Sequence, residues 1–462
     1  MDTETLTNAV QATAPDSEPL PGIVIAYGAD RPQCVPLRIE SGALELGRDE
    51  LAAAVLPDGR ASRRHVRVEH EPGRWTVRDL GSRNGTFVNA VRVEAASTYA
   101  EPPVIRIGRT VLLAVEDVRP FESPGLTVED GVVLGPRVRA LHERVALIAR
   151  SGANLLLTGP SGAGKELAAR AFHRAGEGGA ERPFVALNCA TIARDMAERV
   201  LFGARRGAYT GAVADATGLL VAADGGTLFL DEIAELDLVV QAKLLRVLET
   251  REVLPLGALR PVPSRFQLCA ATLREPRAEV LAGRFREDLY FRVGRPEIGL
   301  PPLRERREEV AYLIEGALRS MPEGTSHASS PELVEACLLR PWPGNVRELL
   351  AEVKAAALTA SAAGRSTIAA TDLDPRAGCA LTAPAQAEAA PIEEGAEAPQ
   401  PAAPRANVPS PPREVIAAAL AEAGGNVLQT ATRLGLSRAR LRRLLERHAI
   451  DPRAVRDRKH GA

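Results

Sequence analysis

Aromatic side chains make up only 3% of the 462 residues, so apolar burial must rest on Leu, Val and Ala. Cysteine is scarce as well. Cys34, Cys189, Cys269, Cys337 and Cys379 are scattered, odd in number and without paired metal-ligand spacing. That argues against a disulfide scaffold and for reduced thiols in a cytoplasmic protein. No apolar run approaches the about 20 residues of a membrane-spanning helix. The opening residues are acidic and polar, unlike a signal peptide. The expectation is a cytoplasmic chain with no membrane partner. A length of 462 residues is too great for one core and suits three domains.

The middle of the chain carries phosphate chemistry. Gly159-Pro160-Ser161-Gly162-Ala163-Gly164-Lys165-Glu166 follows a strand-like apolar stretch and precedes a helix-like one. That is the context of a nucleotide phosphate loop. Gly159, Gly162 and Gly164 let backbone N–H groups turn inward, the helix N-terminus adds positive potential, and Lys165 would reach the β- and γ-phosphates of ATP. Glu166 stands where the general motif has a Ser or Thr for magnesium. Downstream, Gly225 to Glu232 reads as a turn, a buried strand and two carboxylates at its C-terminal end, where open α/β sheets bind ligands. Asp231 would hold Mg²⁺ directly or through water, and Glu232 would polarise the attacking water. Arg286 and Arg292 could neutralise charge on the transferred phosphoryl group, although each alone is more often a solvated or salt-bridged side chain.

With these motifs in order, residues of roughly 130–360 resemble the AAA+ domain of sigma-54-dependent transcription activators, the bacterial enhancer-binding proteins of NtrC type. That family's phosphate loop also ends in Gly-Lys-Glu. Phe184 to Cys189 is similar to the strand whose Asn couples nucleotide state to the catalytic Glu, so the resemblance pairs Asn188 with Glu232. Leu201-Phe202-Gly203 and Gly207-Ala208-Tyr209-Thr210-Gly211-Ala212 resemble the loop that contacts the sigma factor. Leu300 to Arg306 and Trp342 to Leu349 complete the set. By resemblance Arg347 is the sensor on a small helical lid, and Arg286 and Arg292 are fingers reaching into a neighbour's site within a hexamer-type ring. Three positions depart from the family: Tyr209 replaces Phe, Val200 replaces Glu, and Leu273 replaces the Asn that follows Ala270-Ala271-Thr272. The last leaves Thr272 as a polar γ-phosphate sensor.

Residues 20–118 have short strand-like runs separated by Gly, Pro, Asp and Asn, including Gly22 to Tyr27 and Trp75 to Leu80. They suggest an antiparallel sandwich of alternating strands. Gly47-Arg48, Ser62-Arg63-Arg64-His65 and Asp79 to Asn89 resemble the forkhead-associated (FHA) domain, which binds phosphothreonine peptides. Arg48, Ser62, Arg63 and Arg83 would bind the phosphate and Asn84 the peptide backbone of a partner, or of this chain's own leader, residues 1–19. His65 would brace the loops.

Residues 375–412 collapse into Ala, Pro, Glu and Gln and read as a linker. Beyond it, residues 413–462 hold 11 Lys/Arg against 5 Asp/Glu, a net of +6 where the whole chain has −1. That is an electrostatic footprint for nucleic acid. Three short helices are expected, with Ser437 capping the third and Arg438, Arg440, Arg442 and Arg443 on its outer face. The segment resembles the Fis-type helix-turn-helix that ends this activator family.

The fold expectation is thus multidomain: an all-β sandwich at 20–118, an α/β ATPase with helical lid at 130–374, and an all-α DNA-binding unit. The functional expectation is an ATPase that remodels sigma-54 RNA polymerase from enhancer DNA, using ATP and Mg²⁺. The rival is a DNA-bound phosphopeptide scaffold whose ATPase is degenerate, a reading favoured by Leu273 and Val200.

Overall fold

Strand β1 (Gly22–Gly28) is apolar from Ile23 to Tyr27, and none of these five side chains is more than 1% exposed. An exterior sandwich strand should alternate, so burial on both faces calls for a second packing partner. The computed structural model shows that partner. It describes residues 18–54, 56–208, 214–322, 327–380 and 413–422, with Thr430 and Leu445.

The front domain continues with β2 (Arg31–Arg38), β3 (Ala43–Leu46), β4 (Val66–Glu71), β5 (Arg74–Asp79), β6 (Thr86–Val88), β7 (Val91–Val93), β8 (Ala96–Tyr99), β9 (Val104–Ile107) and β10 (Thr110–Val115). They form two antiparallel sheets, ordered β2-β1-β10-β9-β6-β7 and β3-β4-β5-β8. Ile23, Ile25, Leu112 and Ile107 face Val68 and Trp75 across the sandwich. Their neighbours in sequence, Val24, Ala26, Val111 and Leu113, share a core with Leu303 and with Val310, Ile314 and Leu333 of the lid. A register irregularity between Ile25 and Tyr27 places Tyr27 in that second core as well. The sandwich is therefore packed on both faces of one sheet, a correction to the simple alternation expected.

A hairpin, β11 (Thr127–Glu129) and β12 (Val132–Leu134), leads into helix α1 (Pro136–Arg150) and the central domain. Its sheet is wholly parallel, ordered β14-β17-β20-β13-β21, where β13 is Leu155–Thr158, β14 Phe184–Asn188, β17 Thr227–Asp231, β20 Gln267–Thr272 and β21 Glu297–Gly299. Alternate residues serve different layers. Leu156, Leu228, Leu230 and Leu268 pack to one side, and Leu155, Leu157, Phe229 and Cys269 to the other. Continuous Leu/Ala runs are what a sheet covered by helices on both faces requires. Between these strands, the short pairs β15 (Gly203–Ala204) with β16 (Ala216–Thr217), and β18 (Glu252–Val253) with β19 (Val262–Pro263), form two loop necks.

The lid comprises helices Val310–Arg319, Pro331–Leu339 and Asn345–Ala362. Ser330 caps the second, its hydroxyl accepting from Leu333 N at 3.1 Å, and Pro331 fills the first turn, where no N–H is needed. The chain remains attached to the lid beyond residue 375. Gly378 accepts from Trp342 N at 3.0 Å and donates to Glu348 at 2.8 Å. Gly378, expected to lie in the linker, is thus held against the lid.

All five cysteines are free thiols, and burial pushes Cys189 up to about 12. No described helix is long and apolar enough to cross a membrane. In the C-terminal unit, helix Arg413–Glu422 buries Ile416, Ala419 and Leu420, consistent with the first of the three helices expected. Tyr209 to Ala212, the leader up to residue 17, residues 381–412, and Ser437, Arg438, Arg440, Arg442 and Arg443 lie outside the described residues.

Candidate nucleotide and phosphopeptide sites

Three glycines of the phosphate loop hold positive φ: Gly159 at 143°, Gly162 at 73° and Gly164 at 102°. Space as well as conformation demands glycine at Gly162, where a Cβ would lie 2.3 Å from Gly344 O. The loop follows β13 and feeds helix Lys165–Ala175, whose N-cap is Gly164. The backbone thus turns closely around a space at a helix N-terminus, a cradle that fits nucleotide phosphates. Lys165 is 8% exposed; its Nζ donates to Gly159 O at 2.9 Å and lies 3.8 Å from Glu232 Oε1.

The neighbouring strand ends bring the acids beside it. Asp231 closes β17 and Glu232 follows in the left-handed region at φ 53°, a strained conformation for a residue with a Cβ. Asp231 Oδ1 accepts from Glu232 N at 3.1 Å. Asn188, at the end of β14, was expected to partner Glu232. Its Nδ2 instead donates to Asp231 Oδ2 at 3.3 Å, because Asn188 and Asp231 are register partners in the parallel ladder. Glu232 Oε2 accepts from the backbone N–H of Leu273 at 3.0 Å. The departure at Leu273 therefore leaves a hydrogen-bond donor on the carboxylate, supplied by main chain. Thr272 is 2% exposed and its hydroxyl is engaged with Arg274, accepting from the N–H at 3.1 Å and donating to the carbonyl at 3.3 Å. Glu166, exposed, pairs with Arg170 at 2.7 Å. Asp231 offers carboxylate oxygens of the kind a hard cation takes.

The lid closes on the same loop. Arg347 Nη1 donates to Ser161 Oγ at 2.9 Å, Asn345 Nδ2 to Ser161 O at 2.9 Å, and Val346 N to Gly162 O at 3.2 Å. Arg306, buried and paired with Glu309 at 3.0 Å, donates to Ala163 O at 2.7 Å. Of these, sequence reasoning singled out Arg347 alone. Asn345 and Arg306 lay within quoted motifs but carried no role. The buried charge of Arg306 was the available signal, visible only once its partner is known.

Arg286 and Arg292 sit farther along, at the N-cap and last turn of helix Glu287–Val293. Arg286 pairs with Asp288 at 2.6 Å, and Arg292 donates to Leu248 O at 3.1 Å. Their side chains are accessible at the surface. The Gly207-Ala208 segment emerges from the β15–β16 neck, drawn together by the Arg205–Asp215 pair at 2.5 Å. Ala208 lies against Gly257 in the β18–β19 loop, whose Leu259 is 99% exposed. Val200, half-buried in helix Arg194–Phe202, sits just before this neck.

A second site lies at one end of the front sandwich. Arg48, Arg63, Arg83 and Asn84 are exposed and Ser62 is half-buried. His65, fully buried, accepts from Ser62 N at 3.1 Å through Nδ1, while Nε2 lies 3.2 Å from Gly85 O and acts as donor. It joins the loop of Ser62 to that of Gly85. Ser62 Oγ accepts from Arg83 N at 3.0 Å, Asn84 Nδ2 donates to Arg60 O at 2.6 Å, and Arg48 Nε donates to Ala61 O at 3.0 Å. Asp79, unassigned from sequence, gathers the second loop by accepting from Gly81 N, Ser82 N, Ser82 Oγ and Thr86 Oγ1. Three guanidinium groups and a hydroxyl on braced loops suit a phosphate dianion.

Comparison with known proteins gives four family matches along the chain: the FHA domain over residues 44–111, the Sigma-54 interaction domain over 133–298, the AAA+ ATPase lid domain over 304–389, and the Fis family of bacterial regulatory proteins over 413–448. The transcriptional regulatory protein ZraR of Escherichia coli K12 is 38% identical over 331 residues, 71% of each chain. The response regulator FleR of Pseudomonas aeruginosa is 44% identical over 231 residues, and the match spans about half of it (49%). Among solved structures, NtrX of Brucella abortus aligns with a TM-score of 0.50 at 26% identity over 69% of each chain.

Proposed function

This chain belongs to the sigma-54-dependent transcriptional regulators of NtrC type, with an AAA+ ATPase at its centre, an FHA domain in front and a Fis-type helix-turn-helix behind, and from that membership we propose that it couples ATP hydrolysis to opening of promoter complexes held by sigma-54 RNA polymerase. The observation that carries this reading is the convergence of Lys165, Asp231, Glu232 and Arg347 around one glycine cradle. In it, the loop N–H groups and Lys165 hold the β- and γ-phosphates, and Asp231 would hold Mg²⁺, which would neutralise phosphate charge. Glu232 orients and polarises the attacking water. Asn188 steadies the acids through Asp231, and the Leu273 N–H holds Glu232 until nucleotide enters. Arg286 and Arg292 of an adjacent protomer approach the γ-phosphate in a head-to-tail ring. Hydrolysis then moves Gly207 to Ala212, including Tyr209 and Thr210, against sigma-54.

The basic C-terminal segment, with Ser437, Arg438, Arg440, Arg442 and Arg443, anchors the ring at enhancer DNA. Arg48, Ser62, Arg63, Arg83 and Asn84 receive a phosphothreonine, tying activity to Ser/Thr phosphorylation.

The deciding experiment is ATP turnover by the full chain across a protein-concentration series. Turnover is expected to rise faster than concentration and to disappear in Lys165→Ala. Glu232→Gln should still bind ATP while turnover drops by about 100-fold or more. Unimpaired hydrolysis in Glu232→Gln would remove that residue from the chemistry. Leu273, which supplies only main chain to the site, favours the scaffold alternative, and a folded chain with no turnover at any concentration would select it.

A further inference from the structure

The front sandwich and the lid share a sealed interface crossed by charge. Arg106, on the outer face of β9, is 11% exposed; Glu335, on lid helix Pro331–Leu339, is 3% exposed. Arg106 Nε donates to Glu335 Oε2 at 2.6 Å, and Nη1 donates to Glu332 at 3.2 Å. Glu335 Oε1 accepts from Ala90 N at 2.9 Å, so both carboxylate oxygens are held by the sandwich. The Arg106 guanidinium also rests over the Phe87 ring, 4.1 Å from its centroid. Tyr27 Oη donates to Ser329 O at 2.5 Å, at the start of the same lid segment.

That helix leads directly to the phosphate loop. Five residues after Leu339 the chain reaches Gly344, and Asn345, Val346 and Arg347 follow, each bonded to the phosphate loop. The connection is stiff. Trp342 is 1% exposed, its indole donates to Cys337 O at 2.7 Å, and its own N–H is held by Gly378 O. Pro341 and Pro343 flank it, restricting the backbone on both sides. A shift of the helix at Glu335 is therefore passed to Arg347 and not absorbed in a loop.

We propose that Arg106 and Glu335 are positioning residues for nucleotide binding: the FHA domain grips the lid through this buried pair and thereby seats Asn345 and Arg347 on the phosphate loop. The effect of the front domain on the ATPase is built into a packed core. It rests on nucleotide binding at Lys165 and is independent of the phosphothreonine and sigma-factor readings.

The test titrates a fluorescent ADP into the full chain and follows amide hydrogen exchange across residues 331–347 in the same samples. Arg106→Met and Glu335→Gln are compared with Arg106→Lys, which keeps a cation for Glu335 and Glu332 and leaves Glu335 to accept from Ala90 N. Arg106→Met and Glu335→Gln should each raise the ADP Kd by about fivefold or more and speed exchange in 331–347, and Arg106→Lys should recover affinity and protection. The lysine variant also separates loss of the charge pair from simple loss of fold, because it alters the same buried position. An unchanged Kd in Arg106→Met or Glu335→Gln, or an Arg106→Lys no better than Arg106→Met, overturns the proposal. Failure of the unaltered chain to bind ADP would instead overturn the nucleotide reading itself.

Discussion

His65 and Arg48 occupy opposite situations in the candidate front site. His65 is sealed between two loops and fixes their spacing, whereas Arg48 is exposed and makes one side-chain bond to Ala61 O. Arg48→Ala should weaken binding of a phosphothreonine peptide by about 2 kcal/mol, the scale of a hydrogen bond to a charged group. It should change stability by less than about 0.5 kcal/mol, as exposed substitutions do. Isothermal titration beside thermal unfolding checks both, and equal affinity for the two proteins would displace Arg48 from the pocket. Much at this scale was legible in the sequence, because phosphate loops and FHA loops place glycines and cations at set spacings. Two assignments were not. Asn188 faces Asp231 because strand register aligns them, and Glu232 is held by a main-chain N–H that residue identity at Leu273 does not encode.

Among elements, β1 and β10 carry the main structural consequence. Leu112 points into the sandwich and Leu113 into the core shared with the lid, and both are at most 3% exposed. In a sheet with one wet face, an outward Leu→Ala costs little. Here Leu112→Ala and Leu113→Ala should each cost about 2–5 kcal/mol, the range for buried Leu truncation. Denaturant unfolding of the full chain measures both, and a neutral Leu113→Ala would mean the interface with the lid does not persist in solution. The run Gly22-Ile-Val-Ile-Ala-Tyr already departs from alternation. Short apolar runs do not say what covers the second face, so the strand was readable while its second partner was not.

At the level of the molecule, the FHA sandwich and the lid are continuous through buried side chains, and the lid meets the ATPase core at the phosphate loop. Deleting residues 1–118 should expose the lid surface around Leu333, Val334 and Ile314, lowering the melting temperature and binding an apolar-surface dye. A shortened chain that melts like the full chain and binds no dye would show the lid to be self-sufficient. The sequence by itself determined the order of domains, the nucleotide chemistry and the basic terminal segment, since each depends on local spacing or composition. Tertiary structure alone decided that Glu335 meets Arg106, 229 residues earlier, that Asn345 and Arg306 close on the phosphate loop, and that Asn188 serves Asp231. These depend on which surfaces meet when the chain folds, and contacts between distant segments leave no period or motif in either one.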